Sequence, residues 1–133
     1  MTQTTSSFKV TGWDQTPYGE ESAHLGRATV KKEFHGDLEG ESVAELLMCQ
    51  ANPDDFNAGA GSVAMERVVG QLGGRTGTFV FQHGGLNGGG VAAYTFGQII
   101  PGTGTGELVG LTGTVVISVT PEGHLITLDY SLD

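Results

Sequence analysis

Residues 62–83 read SVAMERVVGQLGGRTGTFVFQH, and this stretch decides the fold. Apolar and polar side chains alternate on both sides of Gly73 and Gly74, and a period of two is typical of a half-buried β-strand. Two consecutive glycines can adopt the positive φ angles that a tight two-residue hairpin turn requires. The stretch therefore predicts two antiparallel strands, residues 62–72 and 75–83, joined by a glycine turn.

The same alternation recurs in both directions along the chain, and turn residues separate the segments. Further strands are predicted at residues 8–13, 23–34, 41–50, 91–100, 108–120 and 124–132. Residues 41–50 also fit a helix, because Val43, Leu46, Leu47 and Cys49 would share a helical face, but we favour a strand. Short strands joined by hairpins are typical of all-β sandwiches and barrels. Eight of them can close a barrel without free edges, so we predict an all-β, closed eight-stranded antiparallel barrel.

Length and charge exclude several classes of partner. The 133 residues correspond to one domain, residues 1–133, and the net charge is −9. The densest basic cluster is Lys31-Lys32, so we expect no binding to nucleic acids or to anionic membranes. No run approaches the roughly 18 apolar residues of a transmembrane helix. Cys49 is the only cysteine and residues 1–7 contain no apolar signal region, so we expect a reduced, cytoplasmic setting.

Counting by twos places several polar side chains on apolar strand faces. Arg75 and His83 lie at the two ends of the face that carries Phe79 and Phe81. Glu66 lies on a face of small apolar residues. Three more polar residues share apolar faces in the same way: Lys32, His124 and Tyr130. If these faces point inward, the barrel encloses a mostly apolar pocket with a few directed polar groups, which is the usual composition of a small-molecule site.

A structural role is the alternative for each of these residues. Glu66 could form an outward ion pair with Arg67, and His83 could bond to a turn carbonyl. Tyr130 could be an ordinary core tyrosine whose hydroxyl is satisfied. His124 could face water, and Arg75 could pair with an acidic neighbour. The sequence leaves all of these alternatives open.

Several kinds of chemistry have no support in the sequence. The four histidines have no metal-ligand spacing, so we expect no metal. Residues 102–107, GTGTGE, lack the Lys-Ser/Thr of a phosphate loop and lead into a predicted strand, so we interpret them as a turn. No Gly-x-Ser-x-Gly motif is present, and Cys49 has no visible activating partner. Proton transfer and electrostatic guidance without a cofactor remain.

A set of short motifs resembles a known family. The motifs are FKVTGWD (8–14), FHGDLEG (34–40), ERVVG (66–70), GRTGTF (74–79), QH (82–83), PGTGTGEL (101–108) and the segment 124–130. Together they cover nearly the whole chain and resemble the bacterial domain-of-unknown-function family 3224. The resemblance implies an eight-stranded barrel of the allene oxide cyclase type, with an interior cavity and frequent homo-oligomers, but no established reaction.

The functional hypothesis combines this resemblance with the polar residues. Relatives in that barrel class bind apolar, often conjugated molecules, and some guide ring closure without a cofactor. We therefore expect a barrel that encloses a small, mainly apolar molecule and promotes its cofactor-independent cyclisation or isomerisation. Glu66 would hold or shuttle a proton, Arg75 and His83 would stabilise negative charge on a ligand oxygen, and Tyr130 and His124 would orient it. The remaining ligand contacts would be Phe79, Phe81 and Lys32.

Two alternatives belong to other functional classes. The first is a non-catalytic carrier or sensor that only sequesters an apolar metabolite. The second is a structural module whose barrel is filled by side chains, in which case no cavity of about 300 Å³ or more should exist.

Overall fold

Eight antiparallel strands form one closed barrel in the computed structural model, which describes residues 1–17 and 24–132. The strands are β1 (Thr2–Pro17), β2 (Leu25–His35), β3 (Leu38–Gln50), β4 (Ala60–Leu72), β5 (Arg75–Asn87), β6 (Tyr94–Ile99), β7 (Thr112–Thr120) and β8 (Gly123–Ser131). Consecutive strands are neighbours, and β8 pairs with β1. Short 3-10 helices at Phe56–Ala58 and Gly106–Leu108 follow β3 and β6. The prediction of an all-β, closed eight-stranded antiparallel barrel is confirmed.

The hairpin that decides the fold has the predicted geometry. Gly73 and Gly74 have φ angles of 58° and 83° between β4 and β5. Residues 41–50, whose pattern also fits a helix, are part of β3, so the prediction of a strand there is confirmed. We call the end of the barrel that contains this turn the base, and the end that contains the β3–β4 connection the open end.

Some predicted boundaries are wrong. β1 begins at Thr2 rather than at residue 8. The sequence did not indicate this extension, because residues 2–7 are polar and show no apolar alternation. β1 also continues past residue 13, its predicted end, as far as Pro17. Residues 18–23, which include the predicted start of the next strand at residue 23, lie outside the described residues. β6 and β7 begin at Tyr94 and Thr112, later than predicted. None of the described helices is long and apolar enough to cross a membrane.

A β-bulge in β1 changes which of its side chains face the interior. Val10 lies opposite Lys32 and Trp13 lies opposite Val30, with one extra residue of β1 between the two pairs. Directly opposed residues of an antiparallel pair share a face, so Trp13 lies on the same side as Phe8. An uninterrupted period of two would place Trp13 on the face opposite to Phe8, and the bulge reverses this because it adds one residue to β1.

Apolar side chains fill the half of the barrel near the base. The most deeply buried are Phe34, Leu38, Val68, Leu72, Phe79, Phe81, Ile99, Leu108, Leu111, Ile126 and Leu128. Leu108 and Leu111 come from the connection after β6, whose Thr103 and Thr105 also hydrogen-bond to the backbone of β5. The run that we interpreted as a turn is therefore a turn and a short 3-10 helix that closes the base.

The open end is not filled. β8 pairs with β1 only from Thr2 to Phe8 among the described residues, so β1 extends past the β7–β8 hairpin. The parts of β1 to β6 near the open end consequently enclose an open cavity of about 1200 Å³. A cavity of this size disagrees with a barrel filled throughout by side chains.

Candidate functional site

Four neighbouring strands bring polar side chains together on the inner face of the barrel. Lys32 is on β2, Ser42 on β3, Glu66 on β4 and His83 on β5. Lys32 lies directly opposite Ser42. Glu66 lies opposite Ala44, so it is diagonal to Ser42. His83 is diagonal to Glu66 in the same way, because its direct partner is Ala64. The four residues are called the polar cluster below.

Glu66 is the centre of the polar cluster. Its Oε1 accepts a bond from Lys32 Nζ at 2.9 Å and lies 2.9 Å from His83 Nε2. Its Oε2 accepts a bond of 2.5 Å from the Ser42 hydroxyl. The side chain is 0% exposed, and the Lys32 side chain is 8% exposed. A buried charge is tolerated when a counter-ion and hydrogen bonds compensate its desolvation, and Glu66 has both.

The surroundings of Glu66 favour its ionised form. Burial by itself raises the pKa of this carboxyl. The hydrogen bond from His83, the positive charge of Lys32 and the hydrogen bonds from Ser42 and Lys32 act in the opposite direction. The balance holds the pKa of Glu66 below its ordinary value of 4.5. Glu66 is therefore a carboxylate at neutral pH, with both oxygens engaged.

Aromatic rings border the polar cluster on two sides. Lys32 Nζ lies 4.9 Å from the centroid of the Phe8 ring, a cation–π distance. The His83 imidazole stacks on Phe81, with centroids 5.2 Å apart and an interplanar angle of 29°. Stacking and the bond to Glu66 together fix the orientation of the imidazole.

His83 is the most exposed member of the polar cluster, and it lines a groove of about 460 Å³ rather than the open-end cavity itself. Its side chain is 19% exposed, compared with 0% for Glu66. Gly85, two residues further along the inner face of β5, lines the cavity, and so does Ser62, the residue opposite Gly85. His83 thus lies one inward-facing layer below the cavity lining, and Glu66 lies below His83.

The structure does not bring all predicted site residues together. Glu66, His83 and Lys32 converge as expected. Arg75 is exposed at the base, at the start of β5. A methyl group added at Gly73 would lie 3.1 Å from the Tyr130 hydroxyl, so this hydroxyl is also at the base. The expectation that Arg75 and Tyr130 share the hollow with Glu66 is wrong, because these residues lie at the opposite end of their strands.

The other predicted ligand contacts lie outside the cavity lining. Phe79 and Phe81 are 1% and 0% exposed and belong to the filled core. His124 packs against the Phe8 ring, with centroids 5.1 Å apart, and this ring also lies 4.9 Å from Lys32 Nζ. These residues support the polar cluster from below and beside it.

Sequence reasoning missed two contributors to the site. Ser42 shares a face with Gly40 and Ala44, and a lone hydroxyl among small residues on a predicted inner face is a signal that could have identified it. Gln15 lines the cavity and accepts a bond of 3.0 Å from Trp13 Nε1. No sequence signal indicated Gln15, because the bulge turns this part of β1 inward.

The polar cluster resembles no metal centre. Among residues 1–17 and 24–132, no group of three His, Cys, Asp or Glu side chains is arranged to hold a metal ion. The arrangement instead combines an ionised carboxylate, an ammonium group and a partly exposed imidazole. Such an arrangement is suited to orienting the imidazole for hydrogen bonding or proton transfer.

Comparisons with known proteins agree with the fold. A family model described as "Protein of unknown function (DUF3224)" matches residues 4–130. The crystal structure of a DUF3224 protein of unknown function from Shewanella oneidensis MR-1 is 34% identical to this chain, with a TM-score of 0.82. The match covers 100% of this chain and 98% of that one. No curated protein matches the chain significantly.

Proposed function

We propose, from the premise that this chain belongs to the DUF3224 family of proteins of unknown function, that its barrel binds a small, mainly apolar molecule in the open-end cavity. The barrel promotes the isomerisation or cyclisation of that molecule by proton transfer, without a cofactor. The observation that carries this proposal is that His83, which bonds to a buried carboxylate, is itself 19% exposed and lies one inward-facing layer below the cavity lining.

His83 is the proton-transfer group in this mechanism. In the neutral imidazole one ring nitrogen is a donor and the other an acceptor. Glu66 is ionised and only accepts, so His83 Nε2 donates to Glu66 Oε1. In the neutral imidazole Nδ1 then keeps its lone pair and is the base. Nδ1 takes a proton from a carbon next to a ligand carbonyl and returns it to another atom of the same molecule. The step moves one proton within the ligand and requires no oxidant or reductant.

Glu66 is a positioning residue rather than the proton carrier. Its carboxylate fixes the tautomer of His83 and stabilises the imidazolium that forms during transfer, as the carboxylate of a catalytic triad does. Lys32 and Ser42 keep Glu66 ionised and occupy its remaining hydrogen-bonding capacity. The role first expected for Arg75 has no counterpart here, because its guanidinium lies at the base.

The cavity contributes by restricting the ligand. Leu25, Met48 and Leu86 are among the apolar residues that line it at the open end of the barrel. Holding one ligand conformer against the imidazole lowers the entropic part of the barrier. Isomerisations and cyclisations are the reactions that benefit most from this effect when no cofactor takes part.

A carrier or sensor is the second candidate function. One observation favours it: among the described residues, no buried side-chain nitrogen or oxygen lacks a hydrogen-bond partner. The polar cluster is therefore complete without a ligand, as a structural network would be.

Proton exchange of a simple ketone distinguishes the two functions. The probe is 2-tetralone, an apolar ketone with acidic C–H bonds, incubated with the protein in D2O and followed by proton NMR. The proposed function predicts faster exchange than in buffer alone, and a loss of about 10²-fold or more of the protein-dependent rate in His83→Gln. Arg75→Leu is the matched control, because Arg75 is exposed at the base, and it should exchange at the wild-type rate.

Binding measured alongside exchange separates the outcomes. Saturable binding of 2-tetralone without exchange above the buffer rate would favour the carrier. Equal exchange rates in wild type and His83→Gln would contradict the assignment of His83.

A further inference from the structure

We propose that Gln15 anchors the ligand of the open-end cavity: its side-chain amide, oriented by Trp13, donates a hydrogen bond to a carbonyl oxygen of the ligand. This inference deepens the proposed function and rests on its cavity, but not on the assignment of His83. It names a ligand-binding residue and the ligand group that this residue recognises.

Trp13 fixes which end of the Gln15 amide is free. The indole Nε1 of Trp13 lies 3.0 Å from Gln15 Oε1, and an indole N–H can only donate. The amide oxygen therefore faces the indole, and the NH2 group lies on the other side of the amide. Within residues 1–17 and 24–132, no hydrogen bond involves Gln15 Nε2. Gln15 thus keeps two N–H donors that no other described residue uses.

The free amide nitrogen borders the cavity. Gln15 lies directly opposite Ala28, a core residue that is 2% exposed, so the Gln15 side chain lies on the inner face. Gly26, two residues before Ala28 on β2, shares that face and lines the cavity, as Gln15 itself does. A methyl group added at Gly26 would lie 3.5 Å from Gln15 Nε2. The nitrogen therefore lies next to the space that Gly26 leaves free.

An apolar contact lies beside this donor. The same added methyl group would lie 3.8 Å from Met48 Cε, and Met48 lies directly opposite Gly26 and lines the cavity. A ligand seated over Gly26 thus meets an N–H donor next to an apolar thioether chain. A carbonyl oxygen accepts hydrogen bonds without donating any, so a carbonyl on an apolar body is complementary to this pair. The proposed proton transfer requires the same group, because the proton leaves a carbon next to a carbonyl.

Two probes with one ring system test the inference: 2-tetralone, which has a carbonyl, and tetralin, the hydrocarbon without it. Each is titrated into the full-length chain at pH 7.5 by equilibrium dialysis. Gln15→Glu is the decisive variant, because its carboxylate still accepts the bond from Trp13 but cannot donate to a carbonyl. We expect it to weaken the binding of 2-tetralone about three- to tenfold, the effect of one net hydrogen bond, and to leave that of tetralin within about twofold.

The matched control is Gln71→Glu on β4, which makes the same charge change on an exposed residue near the base. It should bind both probes as the wild type does. Gln15 and Gln71 are both exposed, so neither substitution should prevent folding.

Trp13 is the only tryptophan, so its fluorescence reports binding beside Gln15. We expect 2-tetralone to change the emission of the wild type with the dissociation constant that dialysis gives. Binding without a change in emission would place the ketone elsewhere and overturn the inference. Equal weakening of both probes by Gln15→Glu, or of neither, would also overturn it, while the cavity and the proposed function would stand. Absence of binding by both probes to the folded wild type would overturn both.

Discussion

At the scale of single residues, the least ordinary feature of this protein is a fully buried glutamate in the wall of a small barrel. An unpaired buried carboxylate costs several kcal/mol, whereas one with a counter-ion and hydrogen bonds is close to neutral. Lys32, Ser42 and His83 supply this compensation from three other strands. The intact polar cluster therefore adds little net stability. The loss of one member, in contrast, strongly destabilises the folded protein, because it leaves a buried charge without its partner.

Glu66→Gln should destabilise the protein by about 3–5 kcal/mol at pH 7, because it leaves the Lys32 ammonium buried without its counter-ion. The penalty depends on pH. The folded state lowers the pKa of Glu66 from 4.5, so the stability that the ionised group contributes is fully present above pH 4.5. It is lost as the pH falls through the lower folded pKa. Urea unfolding of both proteins between pH 7 and pH 3 measures the difference.

The control for this series is Glu41→Gln on the exposed side of β3. Its unfolding free energy should stay within about 0.5 kcal/mol of wild type, as for most surface substitutions. A gap between the unfolding free energies of wild type and Glu66→Gln that widened as the pH fell from 7 to 4.5 would show that the folded protein raises the pKa instead.

At the scale of elements, glycines allow three strands to approach closely. Gly40 on β3, Gly70 on β4 and Gly77 on β5 lie opposite one another across the sheet. A methyl group added at Gly70 would lie 2.1 Å from the Glu39 carbonyl oxygen and 2.8 Å from the Gly40 Cα atom. Backbone fills the space that a side chain would need, so the glycine content serves strand curvature rather than disorder.

Gly70→Ala should therefore destabilise the barrel by about 1–3 kcal/mol, the usual cost of overpacking a well-packed interior. Thermal or urea unfolding measures the change. Gly61→Ala on the same strand is the matched control, because its added methyl group would meet its nearest neighbours at 3.5 Å, an ordinary contact. We expect that variant to remain within about 1 kcal/mol of wild type. Equal losses in the two variants would indicate a propensity effect of β4 rather than close approach.

At the scale of the whole molecule, the barrel has two different halves. At the base, the eight strands and the connection between β6 and β7 supply apolar side chains that fill the interior. At the other end, β1 extends past β8 and the barrel is open. The polar cluster lies where the filled half meets the cavity. This position packs His83 against Phe81 and places it one inward-facing layer below the cavity lining.

The outer surface of the barrel carries an apolar patch. Its members, called the outer patch, are Leu47, Val63, Met65 and Phe96, each 41–52% exposed. They line a groove of about 460 Å³ together with Arg27 and Glu45, two opposite charges, and with His83 of the polar cluster. A patch that contains both charges is self-complementary across a two-fold axis, so we propose that the homo-oligomer expected from the sequence forms through this surface.

Met65→Lys should shift the protein toward monomer, and sedimentation velocity over a range of concentrations measures the shift. Val116→Lys on β7 is the control, because Val116 is equally exposed, at 53%, and the charge change is the same. It should leave the oligomer intact. Sedimentation of the wild-type chain as a monomer at all concentrations would show that the expectation of a homo-oligomer is wrong.

The sequence by itself determined the strand pattern, the glycine hairpin at residues 73–74 and the presence of Lys32, Glu66 and His83 on apolar strand faces. These features depend on local periodicity, since alternate side chains of a strand must point to opposite sides of the sheet. The tertiary structure alone decided that Arg75 and Tyr130 lie at the base and that Ser42 joins the polar cluster. It also decided that a bulge turns Trp13 inward. Position along the barrel axis depends on the register and stagger between strands, which arise from contacts between distant residues and leave no period in the chain.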